Sequence, residues 1–394
     1  MMKILYITLE NLSLHKGSVV HIKEIVNGLR EVGHQVDLVA ISSEQPENAD
    51  HFYNLNLMTF SMPKLFRLKN QPFLVSSILL FLYLLKILHR YDIIYARDFH
   101  TVIIALLPRI LFKKRLVFEI NGIAHEEQKL KSHSLLNRIL VSFIRKAEEM
   151  ATKYSERIIS VTPHIVTYLI ENYKCAPDKV ITIGNGVNTK YFYPIRDEAL
   201  LEQCRKKVGI AKEEIIIVFV GNLAPWQGVE TLIEVAPLLL REIRNIRFLI
   251  IGDGILKKPF EAKVNSLGVS DHFVFMGMVI HKEIPLYINI ADICVLPKRR
   301  LKSGYSPIKL YEYMACGKPV VASRVEGLEF IEEEGTGRLT EPEDIISLEK
   351  TLYNLIKEPQ ERLRMGGKGF QIARERFSWE SRVTQIEEVL KKMA

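Results

Sequence analysis

The densest concentration of usable chemistry lies in Ser303-Gly304-Tyr305-Ser306-Pro307-Ile308-Lys309-Leu310-Tyr311-Glu312, followed by Cys316-Gly317-Lys318-Pro319 and an apolar run from Val320 to Ala322. Ser306 is suited to cap a helix, Pro307 to occupy its first position, and Lys309 then falls in the first turn. A cation at that end of a helix is unfavourable unless an anion is bound nearby. Glu312 can accept hydrogen bonds from a ribose diol while Lys309 neutralises phosphate. The plainer alternative is a capped surface helix with solvated charges.

Two further segments have the form of a strand running into a helix, where unpaired helix amides and the helix dipole attract phosphate. Val220-Gly221-Asn222-Leu223-Ala224-Pro225-Trp226-Gln227-Gly228 is a buried strand, a Gly/Pro turn and a helix start. Its amides can face a diphosphate, and Asn222 and Gln227 can serve as neutral donors or simply fix the loop. In Thr8 to Val20, Gly17 would open the first helix and allow close approach to the backbone; a plain loop is the competing reading.

The elements around these segments set their geometry. In the first half, strand-like runs at Lys3–Thr8, Gln35–Ala40, Ile93–Ala96, Arg115–Glu119 and Arg157–Val161 alternate with helical segments such as Val19–Glu31. Gly33 fits a helix stop. The second half repeats the rhythm with strands at Ile215–Val220, Arg247–Ile251, His272–Phe275, Ile293–Leu296 and Pro319–Ala322, and a helix at Val229–Arg241. This alternation predicts an α/β protein of two doubly wound parallel sheets in series. The joint is expected near Tyr193-Pro194, after the turn-rich Gly184-Asn185-Gly186. Residues 378–394 read as a final helix with Ser378 as its cap and Val383, Ile386, Val389 and Leu390 on one face.

Length and composition agree. At 394 residues, 48% hydrophobic and 25% charged, the chain suits two ordinary domains and argues against disorder. Its four cysteines are scattered, which suggests neither a disulfide framework nor a zinc site and fits a reducing, cytoplasmic setting. The opening Met2 to Ile7 reads as a strand rather than a signal peptide.

The net charge of +8 sits in residues 1–196, which hold 25 Lys and Arg against 17 Asp and Glu. A basic half favours an acidic membrane surface or a phosphate-bearing lipid, or is simply a solvated surface. No recognition motif accompanies the charge, so nucleic acid is not expected. Phe73 to Leu85 is apolar but too short for a span, which leaves a core helix or a monotopic contact at the inner face of a membrane.

Taken in order, these motifs resemble glycosyltransferase family 4, the retaining enzymes of GT-B architecture. More narrowly, they resemble the bacterial and archaeal group with a leucine-alanine-proline-tryptophan-glutamine-glycine loop. The likeness rests on Gly17, His21, Glu24, Gly28-Leu29 and Gly33-His34; Asn185 to Asn188 before Phe192 and Pro194; Gly221 to Gly228; Gly252-Asp253-Gly254; Gly277; and Ser306 to Val321.

The resemblance implies two Rossmann-like domains facing across a cleft: an acceptor domain over 1–193, onto which the last helix packs, and a nucleotide-sugar donor domain over 194–377. Donor contacts would come from Gly17, Gly221, Asn222, Gln227, Gly277, Met278, and Tyr305, Ser306, Pro307, Ile308, Lys309 and Glu312. Glu312 would take the ribose, and Lys309 with the 222–228 loop the diphosphate. His21, Arg97 and Glu126 are the expected acceptor contacts.

Three departures stand out. The family's first glutamate is replaced by Gly304. Asn222 and Gln227 stand where many relatives place an arginine and a lysine, which shifts the burden to Lys309, with Arg299, Arg300 and Lys302 as helpers. Asn121 takes the position of a histidine near the reacting sugar, with His125 close behind; Asn121 could instead cap a turn and His125 lie on the surface.

The implied reaction moves a hexosyl group from a nucleoside-diphosphate sugar to a saccharide or lipid-linked hydroxyl with retention, in surface polysaccharide or glycolipid assembly. No cofactor is expected and, with no Asp-x-Asp motif, no metal. The competing readings are an epimerase or phosphorylase of the same architecture and a non-catalytic sugar-nucleotide-binding subunit. Gly252-Asp253-Gly254 lacks the third glycine of a dinucleotide fingerprint, which disfavours a nicotinamide oxidoreductase.

Overall fold

A computed structural model describes residues 1–12, 17–42, 57–61, 72–129 and 134–393 of the chain. It divides into two compact units, Met1–Asn185 with Trp379–Ala394, and Gly186–Ser378. The division thus falls at Asn185/Gly186, ahead of the expected joint at Tyr193-Pro194. The reason is packing: Val187 and Phe192 are buried in the core of the second unit, and the Val187 amide donates to the Phe377 carbonyl at 2.8 Å.

The first unit is built on a parallel sheet of β1 (Lys3–Asn11), β2 (Gln35–Ser42), β3 (Leu57–Ser61), β4 (Ile93–Arg97), β5 (Arg115–Ile120), β6 (Arg157–Ser160) and β7 (Val180–Thr182). Its spatial order is β3-β2-β1-β4-β5-β6-β7. The second unit carries β8 (Ile215–Val220), β9 (Ile246–Ile251), β10 (Phe273–Gly277), β11 (Ile293–Leu296), β12 (Val320–Ser323) and β13 (Gly337–Thr340), ordered β10-β9-β8-β11-β12-β13. Every strand pair in both sheets is parallel.

Parallel strands covered on both faces read as unbroken apolar runs. β8, Ile-Ile-Ile-Val-Phe-Val, shows why: Ile216, Val218 and Val220 enter one core layer and Ile217 and Phe219 the other. The strands that pattern reading passed over, β3, β7 and β13, are all at sheet edges. β7 is three residues long with Ile181 exposed, so neither length nor burial marks it.

The final helix, Trp379–Lys391, packs within the first unit on the helix Gly17–Glu31. A Cβ on Gly28 would lie 2.4 Å from Val383 Cγ2, so only glycine admits this approach. His34 Nε2 meets Glu387 Oε1 at 3.0 Å. Ser378 forms an isolated bridge with Val187 in the second unit.

The apolar Phe73 to Leu85 segment lies in the helix Pro72–Ile87, whose Leu80, Leu84 and Ile87 are buried while Ile78 and Leu82 are exposed. No helix among the described residues is long and apolar enough to cross a membrane. Of the expected Thr8 to Val20 junction, residues 13–16 lie outside the described residues; Gly17 begins its helix.

Candidate functional site

In a doubly wound sheet, the connections from two neighbouring strands leave in opposite directions where the strand order reverses, and a crevice opens at the strands' C-terminal ends. In the second unit that point lies between β8 and β11. The loop 221–228 follows β8, and Lys298 follows β11 after Pro297. The helix Ile308–Ala315 is tied to the same edge: the Val220 amide donates to Tyr313 Oη at 2.7 Å.

Glu312 projects from this helix and is almost fully buried. His281 Nε2 lies 2.8 Å from its Oε1, and Lys309 Nζ donates to its Oε2 at 2.8 Å. Burial is the strongest influence on the carboxyl and opposes ionisation, yet the charges of Lys309 and His281 and their hydrogen bonds hold its pKa down at about 2. The group is therefore an anion throughout the physiological range. With four lone-pair sites and two partners, it retains capacity to accept from a diol.

The helix begins one residue later than expected. Pro307 is its N-cap, with extended backbone and no side-chain cap, and the Ser306 hydroxyl lies 3.2 Å from that of Tyr311. Ser306 is thus a position too early to cap, because the chain turns helical only at Ile308. Lys309 remains in the first turn.

The loops beside β8 fit backbone to backbone. A Cβ on Gly252 would lie 1.9 Å from Gly221 O, and one on Gly254 2.4 Å from Leu223 O. Gly228 has φ +68°, and a Cβ there would meet Pro297 O at 1.6 Å, which pins the loop against the end of β11. Gly277 closes β10 with φ +68°, leaving Met278 exposed. Gly304 has φ +62°, a conformation that favours glycine where the family pattern has glutamate.

Tyr305 Oη donates to Arg299 O at 2.7 Å, and the Tyr305 amide donates to Glu326 O at 2.8 Å. Arg299 is paired with Glu343 at 2.9 Å and Glu230 at 3.4 Å, and Arg300 with Glu326 and Glu341 at 3.7 and 3.8 Å. Both arginines are engaged by carboxylates. Lys298 is different: it is buried, its ammonium donates to Gln227 Oε1, and it stands 5.1 Å from the centre of the Tyr305 ring. Burial alone pushes it down to about 7.

In the first unit the order reverses between β1 and β4, and the expected residues converge on a carboxylate that the sequence did not single out. Glu119, at the end of β5, has His21 Nε2 at 2.8 Å and Arg97 Nε at 3.3 Å, and accepts from Asn121 Nδ2 at 2.9 Å and Tyr95 Oη at 2.6 Å. Burial opposes its ionisation most strongly, but His21 and Arg97 prevail and hold it at about 2. His21 Nδ1 is also 2.6 Å from Asn185 Oδ1. His21 and Arg97 are buried in this network, whereas Asn121 is exposed and turns its Nδ2 inward, leaving Oδ1 as an acceptor.

His125 does not join them. It is 1% exposed, its Nδ1 is 2.5 Å from Glu148 Oε2, and the hydroxyls of Tyr168 and Tyr173 lie 3.0 and 3.2 Å from its ring nitrogens. Both nitrogens are used in holding Ala124–Lys129, Leu135–Tyr154 and Pro163–Tyr173 together, which corrects both its expected place at the reacting centre and the surface alternative. Glu126 pairs with Lys129 at 2.8 Å.

Residues 15–191 match the family described as Glycosyltransferase Family 4, and residues 202–371 that described as Glycosyl transferases group 1. The two matches together take in most of both halves of the chain. The chain is 32% identical over 225 residues to D-inositol 3-phosphate glycosyltransferase of Corynebacterium efficiens, a match covering 55% of this chain and 52% of that protein. It therefore spans about half the length of that relative. It is 25% identical over 381 residues to an uncharacterized glycosyltransferase of Methanocaldococcus jannaschii, covering 93% and 91%.

Among solved structures, sucrose-phosphate synthase from Thermosynechococcus elongatus superposes with a TM-score of 0.80 at 20% identity, covering 100% of this chain and 99% of that one. HepE of Anabaena in complex with UDP and glucose gives 0.79 at 19%, covering 99% and 100%. The fold is that of the GT-B glycosyltransferases.

His281, Lys298 and Glu119, which contact the candidate residues Glu312, Gln227 and His21, are ones that sequence reasoning missed. The available signal was a charge at the end of an apolar strand, as in Glu119 on β5 and Lys298 just beyond β11, because such a charge must find a partner or a ligand.

Proposed function

We propose that this chain is a retaining hexosyltransferase of the group with the 223–228 loop, moving a sugar from a nucleoside diphosphate to an acceptor hydroxyl without a metal. The observation that carries the reading is the buried Glu312 anion held by Lys309 and His281 at the β8/β11 reversal. Glu312 takes the ribose diol, Lys309 and the first-turn amides take the phosphates, and Gly277 and Met278 line the base. The structures of HepE with UDP and glucose and of starch synthase IV with ADP and acarbose support a nucleoside diphosphate as ligand class.

Catalysis then consists of fixed positive charge around a leaving diphosphate, in place before the bond breaks. The acceptor hydroxyl meets the first unit, with Asn121 Oδ1 as its exposed acceptor and Glu119, His21 and Arg97 fixing that side chain. A thermal-shift screen with UDP-, GDP- and ADP-sugars tests the donor assignment, because a ligand that binds only the folded state raises its melting temperature. We expect one nucleotide series to raise Tm by several degrees; no rise with any of them would defeat the reading. Product analysis with and without acceptor separates transfer from epimerisation, from phosphorolysis and from mere binding.

We further propose that the acceptor is lipid-linked and met at an acidic membrane surface, in the assembly of glycolipid or surface polysaccharide on its cytoplasmic side. On Leu135–Tyr154, Leu136, Leu140 and Phe143 form an exposed apolar stripe, with Arg138, Arg145 and Lys146 also exposed. Leu107, Ile110 and Leu111 are exposed on the adjacent helix Phe99–Leu111. Apolar side chains interleaved with cations suit a helix lying in an anionic interface. A GDP-mannose-dependent phosphatidylinositol monomannoside mannosyltransferase of Mycolicibacterium smegmatis, 28% identical over 210 residues, supports a lipid acceptor. Leu136→Glu with Phe143→Glu should abolish cosedimentation with phosphatidylglycerol vesicles; equal binding by wild type and variant would refute this docking face.

A further inference from the structure

We infer that Lys298 is the cation that the 221–228 loop lacks, and that it binds the donor's diphosphate by exchanging Gln227 for a phosphate oxygen. This rests on the nucleoside-diphosphate reading above and adds a residue to it. The loop from Gly221 to Gly228 contains no lysine or arginine. Its last residue is locked against Pro297, so the residue that follows Pro297 is held beside the loop by backbone contact.

A lysine is an improbable choice for this position on structural grounds. Burying an ammonium costs several kcal/mol unless an anion compensates it. Gln227 offers only a neutral carbonyl oxygen, and no carboxylate pairs with Lys298 among the described residues. The neighbouring Arg299, by contrast, has two carboxylates. The strand end therefore carries one cation neutralised within the protein and one whose charge is left for something else. An apolar side chain would fill the space beneath Tyr305 at lower cost; what lysine adds is a charge at the sheet's ligand-binding edge. An entering diphosphate supplies the missing anion and raises the proton affinity of the amine it meets.

The test is isothermal titration of wild type and Lys298→Met with UDP, GDP and ADP, each beside its parent nucleoside. The expected result is a tenfold or greater loss of affinity for the diphosphate that wild type binds, no more than a twofold change for the nucleoside, and a Tm of the unliganded variant at least equal to wild type. Equal losses for both ligands, or none for either, would overturn the role of Lys298 while leaving the donor reading intact. If wild type binds none of the three diphosphates, the donor reading fails and this inference with it. A residue that merely braces Gln227 would lower Tm on replacement. Lys298→Gln, which keeps a polar partner for Gln227, gives the same diphosphate-selective loss should the methionine variant fold poorly.

Discussion

Glu312→Gln lowers donor affinity by about 30- to 1,000-fold, and the loss extends to the nucleoside itself. The magnitude has two sources. A hydrogen bond to a charged acceptor contributes about 1.5–3 kcal/mol, and the variant weakens each one made to the ribose. It also leaves Lys309 and His281, which now meet the carboxylate at 2.8 Å on either side, without their anion. Together these amount to about 2–4 kcal/mol, at about 1.4 kcal/mol for each factor of ten. Titration with nucleoside and nucleoside diphosphate checks it, and an unaltered nucleoside titration removes Glu312 from the site.

The pH dependence follows the same carboxylate. Its folded pKa of about 2 lies below the ordinary 4.5, so its contribution to stability is complete above about 4.5 and is lost as pH falls toward 2. Donor binding should show no acid limb from this group between pH 5 and 8, a window read from that depression.

Lys309→Ala has a different signature. In the proposed reaction its charge acts on the diphosphate, where negative charge grows as the glycosidic bond breaks, so the loss is expected mainly in kcat. Removing one such preorganised group typically costs about 10²–10³ in rate. Nucleoside affinity changes far less than in Glu312→Gln, because the ribose carboxylate remains. Lys309 is i−3 to Glu312 on the same helix and helps neutralise its buried carboxylate, so the variant's Tm is measured beside its kcat, with His281 left to hold the anion. Near-normal kcat with purified protein would show that the phosphates lie elsewhere, whereas a change confined to KM would reduce Lys309 to ground-state binding.

The sequence by itself determined much of this. The apolar runs of β1, β8 and β9 are continuous because both faces of a parallel sheet are covered, so strand and helix alternation was legible, as was the placing of Lys309 and Glu312 on one helix. What it lacked were the edge strands β3, β7 and β13 and the helix start at Ile308. It also lacked every partnership between distant segments. His281 meets Glu312 across 31 residues, Gln227 meets Lys298 across 71, and Glu119 gathers His21 and Arg97 from separate elements. Periodicity records which face of an element is buried, not which element lies opposite. Only the tertiary structure could turn His125 from a candidate beside the reacting sugar into a buried brace on Glu148, because the carboxylate that captures it lies on another helix.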